Sequence, residues 1–117
     1  MSGLAGYLAG RAAEEAVLRH YEARGFHKLA TRWRSRAGEI DLVMANGPEI
    51  IFVEVKAARD LAAAAARLTM RQLARIARAA EEFLSGQPLG SLTPARIDAA
   101  FVDRFGRIEL VENAYMA

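Results

Sequence analysis

Helical and strand spacings of apolar residues follow one another along the first half of the chain. Over residues 4–24 the spacing predicts a helix, and Gly25 stands where the C-cap glycine of a helix is expected. The apolar stripe of this helix includes Val17, Leu18 and Tyr21. Stepping back along that stripe by three and four residues leads to Glu14, so this carboxylate is predicted on or beside the buried face.

Three strands are predicted next, because alternating patterns and β-branched or aromatic residues dominate there. The second and third strands flank the turn signal "NGP", which predicts an antiparallel hairpin. The predicted spans are His27–Arg34, Glu39–Ala45 and Glu49–Val55.

The second half of the chain predicts a helix followed by two strands. The segment "AARDLAAAAAR" lacks large side chains that would anchor it, and its sequence is compatible with either a helix or a loop. "TMRQ" has the spacing of a capping box, with Thr69 at the N-cap and Gln72 at N3. The inward stripe of this helix comprises Leu73, Ile76, Ala77, Ala80 and Leu84. After the loop "SGQPLGSLTP", strands are predicted over about 95–102 and 108–112.

This order predicts an α/β fold in which a mixed five-stranded sheet is flanked by helices. The 117 residues, of which 53% are hydrophobic, are expected to form one domain over residues 1–117. The absence of cysteine excludes disulfides, thiolate zinc sites and cysteine nucleophiles. The amino terminus lacks the basic start of a signal peptide, and no apolar run approaches the roughly 20 residues that cross a bilayer. A cytoplasmic protein outside the membrane is therefore expected.

Acidic residues and one lysine interrupt the apolar hairpin "GEIDLVMANGPEIIFVEVK". Alternation places Glu54 and Lys56 on one face of the third strand, and hairpin pairing would bring Asp41 near Glu54, although sequence does not fix the register. An ion-pair network at the end of the sheet is one interpretation. Because one lysine cannot neutralise several desolvated carboxylates, a bound Mg²⁺ is the other. That metal would polarise a phosphate while Lys56 orients the attacking water or stabilises charge on phosphorus, which predicts phosphodiester hydrolysis.

The same residues carry a resemblance to known proteins. "GEIDLV" and "FVEVKAAR" resemble the YraN-like family of small bacterial proteins, and their D…ExK pattern is similar to that of the wider PD-(D/E)xK nucleases, which include archaeal Holliday-junction resolvases. The resemblance extends over most of the chain, from "GRAAEEAVLRHYEARGF" to "RIDAAFV" and "ENAY". It implies a restriction-endonuclease-like core and an endonuclease that uses Mg²⁺ or Mn²⁺ on DNA, with branched or single-stranded structures as candidate substrates.

The resemblance also assigns site residues. Asp41, Glu54 and Lys56 correspond to the catalytic triad of these nucleases. Glu14 corresponds to the first-helix acid that joins Asp41 and Glu54 as a metal ligand. Glu39 belongs to the same signature, and a hydrogen-bonding or surface role fits it at least as well as metal binding.

Two positions depart from the family pattern. Ala58 stands where an arginine is usual, with Arg59 displaced by one residue, and Gln72 stands where a basic residue is usual. The displaced arginine fits a shifted DNA contact. The capping box already explains Gln72.

Arginines form two candidate contact patches. Arg67, Arg71, Arg75 and Arg78 recur at helical spacing opposite the apolar stripe, and "TRWRSR" offers Arg32, Arg34 and Arg36 on one side of an extended segment. A solvated face is the common meaning of such patterns, and the alternative is a surface that contacts phosphates regardless of base sequence. The predicted nucleic-acid contacts are Arg34, Arg36, Arg71 and Arg75.

The sequence thus predicts a nuclease with DNA as its partner, and a homodimer would suit symmetric cleavage of a branched substrate. A noncatalytic nucleic-acid-binding module is an alternative. An interaction protein that keeps the fold without turnover is another, because fold alone does not decide function.

Overall fold

The computed structural model describes residues 3–115 as one mixed five-stranded sheet with helices on both faces. The first two and last two residues of the predicted domain lie outside this range. The helices are α1 (Gly3–Ala23), α2 (Leu61–Ala66) and α3 (Met70–Leu84), with a 3₁₀ turn at Gly90–Leu92. The strands are β1 (His27–Arg34), β2 (Glu39–Asn46), β3 (Glu49–Ala57), β4 (Ala95–Val102) and β5 (Ile108–Val111).

The strands lie in the sheet in chain order, β1-β2-β3-β4-β5. β1, β2 and β3 form an antiparallel meander, β4 adds parallel to β3, and β5 returns antiparallel to β4. The parallel pair requires a crossover, which α2 and α3 supply between β3 and β4. The predicted fold class and element order are confirmed. The segment "AARDLAAAAAR", for which the sequence allowed a helix or a loop, contains the helix α2.

Local capping fixes where α2 and α3 begin. The Asp60 carboxylate accepts a hydrogen bond from the Ala63 N–H at 2.7 Å and starts α2. Thr69 and Gln72 exchange reciprocal hydrogen bonds of 3.1 Å, so the predicted capping box of α3 is confirmed. Among the helices within residues 3–115, none combines the length and apolar character needed to cross a bilayer.

Two apolar layers cover the two faces of the sheet. On one face α1 packs through Val17 and Tyr21, which are fully buried. On the other face α3 packs through Leu73 and Ile76 against Phe52 of β3. The predicted α3 stripe is confirmed, with Ala79 as an additional buried member. Each such side chain contributes roughly 1.5–3 kcal/mol on burial, so β2 and β3 are held between two helices.

A buried carboxylate ties β4 to α1. Asp98 is fully buried and accepts hydrogen bonds from the Tyr21 hydroxyl (2.7 Å), the Arg96 guanidinium (2.9 and 3.2 Å) and the Asn113 backbone N–H (3.0 Å). Burial, and then the hydrogen bond to Asp98, raises the pKa of Tyr21 well above its ordinary value. The pattern of "RIDAAFV" predicts a strand but does not indicate this network.

Candidate metal and nucleic-acid site

Asp41 lies where β2 separates from β3. The antiparallel ladder pairs Leu42 with Val53 and stops before the next pair in register, Asp41 and Glu54. Instead, an Asp41 carboxylate oxygen accepts a hydrogen bond from the Val55 backbone N–H at 2.8 Å. The short aspartate side chain thus takes the place of a backbone acceptor and bridges the opening between the two strands.

β1 is irregular opposite Asp41. Arg32, which faces Asp41 in the register, adopts a φ of 51°, in the left-handed region that residues other than glycine rarely occupy. Ile40 packs on the α3 face of the sheet and Leu42 on the α1 face, although residues two apart in a regular strand share a face. The sheet is therefore distorted around Asp41, and such strain, of the order of 1–3 kcal/mol, is concentrated at functional sites.

Glu54 and Lys56 lie beside Asp41. The Glu54 carboxyl hydrogen-bonds to Asp41, and the Lys56 Nζ lies 3.2 Å from Glu54 Oε2. Only 13% of the Glu54 side chain and 21% of the Lys56 side chain are exposed. The structure brings the three residues of the predicted triad into one partly desolvated cluster, and their catalytic role stays a prediction.

The surroundings of Glu54 favour its protonated form. Burial raises the pKa of Glu54 to about 8, the charge of Asp41 and its hydrogen bond act in the same direction, and Lys56 opposes them. Two carboxyl groups hydrogen-bond to each other only when one of them is protonated. The raised pKa favours the protonated form of Glu54 beside Asp41, so a cation that binds both carboxyl groups has to compete with a proton.

Glu54 should make the stability of the protein depend on pH. Its pKa rises from 4.5 to about 8 on folding, so the stabilisation is full below pH 4.5 and is lost as pH rises through 8. Glu54→Gln keeps a hydrogen-bond donor and cannot ionise. We compare the free energy of unfolding of Glu54→Gln with that of the wild type in metal-free buffer. As pH rises from 5 to 9, the difference should shift in favour of Glu54→Gln by roughly 2–4 kcal/mol.

Urea unfolding followed by Trp33 fluorescence at several pH values measures this difference. Glu15→Gln is the matched control, because Glu15 is on the exposed surface of α1 and pairs with Arg19 at 3.8 Å. It should show the pH dependence of the wild type. Parallel pH profiles for Glu54→Gln and wild type would show that Glu54 is already ionised in the folded protein.

Glu14 approaches the cluster from α1 and is engaged by a different partner. Its Oε1 accepts a hydrogen bond from Arg32 Nε at 3.3 Å, beside a separate small cleft of about 190 Å³. Burial, and then the charge of Asp41, raises the pKa of Glu14 against the opposing effect of Arg32. Within residues 3–115, no three carboxylate or imidazole side chains are grouped closely enough to hold a metal ion. Metal binding by Glu14 stays a prediction that requires it to leave Arg32.

A larger cleft of about 740 Å³ opens beside Lys56 at the carboxyl end of β3. Its lining also includes Arg67, Arg104 and Gln72, together with small residues of α1, namely Gly6, Ala9, Gly10 and Ala13. Arg67 is held in place because its guanidinium donates a hydrogen bond of 2.7 Å to the Ala57 carbonyl. Small residues on one helix leave the cleft open, and three cationic side chains make it suited to a polyanion.

The predicted arginine stripe is interrupted. Arg67 is the C-cap of α2, because Thr69 begins a new helix, so it does not continue the row formed by Arg71 and Arg75 on α3. Arg67 lines the cleft beside Lys56 instead. Arg67, which was predicted on the helix surface, therefore lies at the candidate site.

β1 does not present three arginines on one side, contrary to the prediction. The strand ends at Arg34, and Arg36 lies in the following turn, in which the Ser35 N–H donates to the Gly38 carbonyl at 2.9 Å. The left-handed conformation of Arg32 has already broken the alternation. The extended segment assumed from "TRWRSR" is therefore too long.

Arg75 connects the two predicted patches. A Cβ at Gly38 would lie 3.2 Å from its Cδ, so the Arg75 side chain covers this turn, and Gly38 has a φ of 145° that favours glycine. Arg34 Nε lies 3.6 Å from Glu39 Oε2, which gives Glu39 a surface ion pair. The predicted contacts are all exposed: Arg34, Arg36, Arg71 and Arg75. Their contact with nucleic acid stays a prediction.

Part of the cleft was not predicted from the sequence. Arg104 lies between the last two predicted strands and the small residues of α1 lie in the first predicted helix, and neither was predicted to form part of the site. The parallel pairing of β3 with β4, a long-range contact, brings Arg104 to the cleft, and the small residues of α1 reach it because α1 packs against β3. The available local signal was an aromatic residue with an arginine on either side in "RFGR".

Known proteins with similar sequences identify the family. The chain matches the family described as "Uncharacterised protein family UPF0102" over residues 13–102. The chain belongs to the UPF0102 family. A UPF0102 protein of Ruegeria pomeroyi is 55% identical over 113 residues, which cover 97% of this chain and 92% of the relative. A UPF0102 protein of Cereibacter sphaeroides is 56% identical over 117 residues and is covered completely, as is this chain.

The predicted membership of the YraN-like family is thereby confirmed. The region of this UPF0102 protein that matches the family begins just before Glu14 and ends with β4. It includes the cluster of Asp41, Glu54 and Lys56. The turn between β4 and β5 lies beyond it.

Proposed function

We propose that this UPF0102 protein is a Mg²⁺- or Mn²⁺-dependent endonuclease that hydrolyses DNA phosphodiester bonds, in branched or single-stranded structures. The observation that carries the proposal is the partly desolvated Asp41–Glu54 pair beside Lys56, a lysine that also lines a cationic cleft. The resemblance to PD-(D/E)xK nucleases and the matching element order support it. Family membership alone does not supply an activity.

The donor set of the pair fits a hard divalent cation. Two adjacent carboxylates are the ligands that Mg²⁺ and Mn²⁺ prefer, and such sites leave positions for water and phosphate oxygens. A cation held by Asp41 and Glu54 would favour the ionised form of both carboxyl groups and offset their negative charge. When bound, it would polarise a phosphate and make a coordinated water more acidic.

The side chains around the pair have separate roles in the proposal. The Val55 N–H orients Asp41, and Glu54 holds the Lys56 ammonium at 3.2 Å. Lys56 also lines the cleft, so its charge is available to a phosphate or to an attacking water. A fixed cation where negative charge develops is the kind of group that accelerates phosphoryl transfer.

Arginines on two surfaces would hold the DNA. Arg67 and Arg104 lie in the cleft, and Arg71 and Arg75 are exposed on α3. Contacts from such residues go to phosphates, so binding should be independent of base sequence and sensitive to salt. A nuclease of this kind would act in the cytoplasm, and a homodimer would suit paired cuts in a branched substrate.

A noncatalytic nucleic-acid-binding module is the second candidate, and one observation favours it. Both carboxyl groups already have partners, because Asp41 accepts from the Val55 N–H and Glu54 pairs with Lys56, and within the described residues no buried side-chain polar atom lacks a partner. Such a module would bind DNA through the same arginines and never cut it. An interaction protein would bind no DNA at all.

Metal titration by calorimetry tests the proposal first. At pH 7 the wild type should bind Mn²⁺ with release of about one proton, because the ion displaces the proton of Glu54. Asp41→Asn keeps an acceptor for the Val55 N–H and loses the charge, so affinity should fall roughly tenfold or more. Titrations in buffers with different ionisation enthalpies count the protons.

Glu39→Gln is the matched control, because Glu39 is also on β2 and pairs with the exposed Arg34. It should bind Mn²⁺ as the wild type does. If the wild type takes up no Mn²⁺ or Mg²⁺, or if Asp41→Asn binds equally well, the metal site and the catalytic proposal both fail. DNA binding without metal uptake would then favour the noncatalytic module.

A further inference from the structure

The turn between β4 and β5 presents an aromatic ring beside two arginines. Phe105 is 69% exposed, although burial of a ring of this size is strongly favourable. The guanidinium carbons of Arg104 and Arg107 lie 4.9 and 5.5 Å from the centroid of the ring. The turn therefore combines an open apolar surface with two positive charges at cation–π distance.

A buried carboxylate holds this turn in shape. Asp103 Oδ1 accepts hydrogen bonds of 2.9 Å from the backbone N–H groups of Phe105 and Arg107, and its Oδ2 accepts one of 2.6 Å from Arg107 Nε. Gly106 has a φ of 83°, which lets the chain reverse there. Phe105 is thus presented by a braced turn, and a braced turn loses little conformational entropy when it binds a partner.

The turn lies at the rim of the Lys56 cleft. Asp103, Arg104 and Gly106 line that cleft, and Phe105 lies between two of them in the chain. A polymer that passes Lys56 and reaches Arg104 along the cleft therefore arrives at the turn that carries Phe105. The charge on this path, from Lys56, Arg67 and Arg104, favours a polyanion over a neutral or cationic partner.

We propose that Phe105 is a stacking platform for an unpaired nucleobase of the DNA strand that enters the cleft, with Arg104 and Arg107 placed for the adjacent phosphates. This inference rests on the proposed function and deepens it, because it requires an unpaired stretch next to the bond that is cut. Bases within a duplex are stacked on one another and offer no free face to a protein ring, whereas unpaired bases stack on aromatic side chains regardless of sequence.

Fluorescence anisotropy in EDTA tests the inference without any cleavage. The probes are a labelled single strand of about 12 nucleotides and a blunt hairpin duplex of similar charge. Phe105→Ala should weaken binding of the single strand about tenfold and leave binding of the duplex unchanged. Phe105→Trp should retain affinity for the single strand because it keeps an aromatic face, and Phe105→Leu should lose it because it keeps only apolar bulk.

Leu92→Ala is the control, because Leu92 is also a large exposed apolar residue (81%) and does not line the cleft. Wild-type affinity of Phe105→Ala for the single strand, or an equal loss for both probes, would overturn the stacking role while leaving the proposed nuclease intact. Absence of DNA binding by the wild type would overturn both the stacking role and the DNA substrate. The stacking role is supported only if Phe105→Ala and Phe105→Leu both lose affinity for the single strand and keep their affinity for the duplex.

Discussion

Lys56→Met should lower the rate of metal-dependent DNA cleavage by about a hundredfold or more. The substitution keeps the length of the side chain and removes the ammonium that Glu54 holds at 3.2 Å. Binding of Mn²⁺ should persist, because Asp41 and Glu54 remain and a nearby positive charge is gone. Loss of cleavage with retained metal is the result that separates a catalytic lysine from one that only neutralises Glu54.

Single-turnover cleavage and Mn²⁺ titration on the same preparations measure the two properties. Lys28→Met is the matched control, because Lys28 is the other lysine of the chain and is exposed on β1. It should cleave at the wild-type rate. If Lys56→Met cuts DNA as fast as Lys28→Met, the ammonium has no part in the chemistry, and an ion pair at the end of the sheet is the better description of Lys56.

Asp98→Ala should destabilise the protein by about 3–5 kcal/mol. The substitution removes the shared acceptor of Tyr21 and Arg96 in a buried position and leaves the Arg96 charge with fewer partners. Domains of this size commonly have a free energy of unfolding of only about 5–15 kcal/mol, so this substitution should remove a large part of the stability. Urea unfolding followed by far-UV circular dichroism measures the change.

Tyr21→Phe gives the graded comparison for this network. It removes one hydrogen bond of 2.7 Å to the carboxylate and should cost about 1.5–3 kcal/mol, less than Asp98→Ala. Asp60→Ala removes an exposed carboxylate that caps α2 and should cost about 0.5–2 kcal/mol. If Asp98→Ala costs no more than Asp60→Ala, the buried network does not hold β4 to α1.

Local patterns were sufficient to predict most of the fold. The alternation in "EIIFVEV" and the turn at "NGP" define the β2–β3 hairpin, and Thr69 with Gln72 marks the start of α3, because these signals act between residues close in sequence. The hairpin also explains why Asp41 lies near Glu54, because the turn sets the register in which the two positions face each other. The resemblance then supplied the roles that patterns alone left open.

Other features depend on contacts that no local pattern encodes. The left-handed Arg32 and its bond to Glu14 arise where β1 passes beside Asp41, and the helical spacing of Glu14 predicted only that it lies near the buried face. The parallel pairing of β3 with β4 brings the turn with Phe105 beside Lys56, although their segments are far apart in the chain. Sequence therefore predicted the triad more completely than the cleft around it.

Incubation of the purified protein with single-stranded, flapped, four-way and fully paired DNA, in Mg²⁺ and separately in EDTA, tests the central proposal most directly. The proposed mechanism predicts cuts in substrates that contain unpaired segments, only when Mg²⁺ or Mn²⁺ is present, with Asp41→Asn reduced by about a hundredfold or more. Absence of cleavage under all metal conditions, or cleavage that persists in Asp41→Asn, would contradict it.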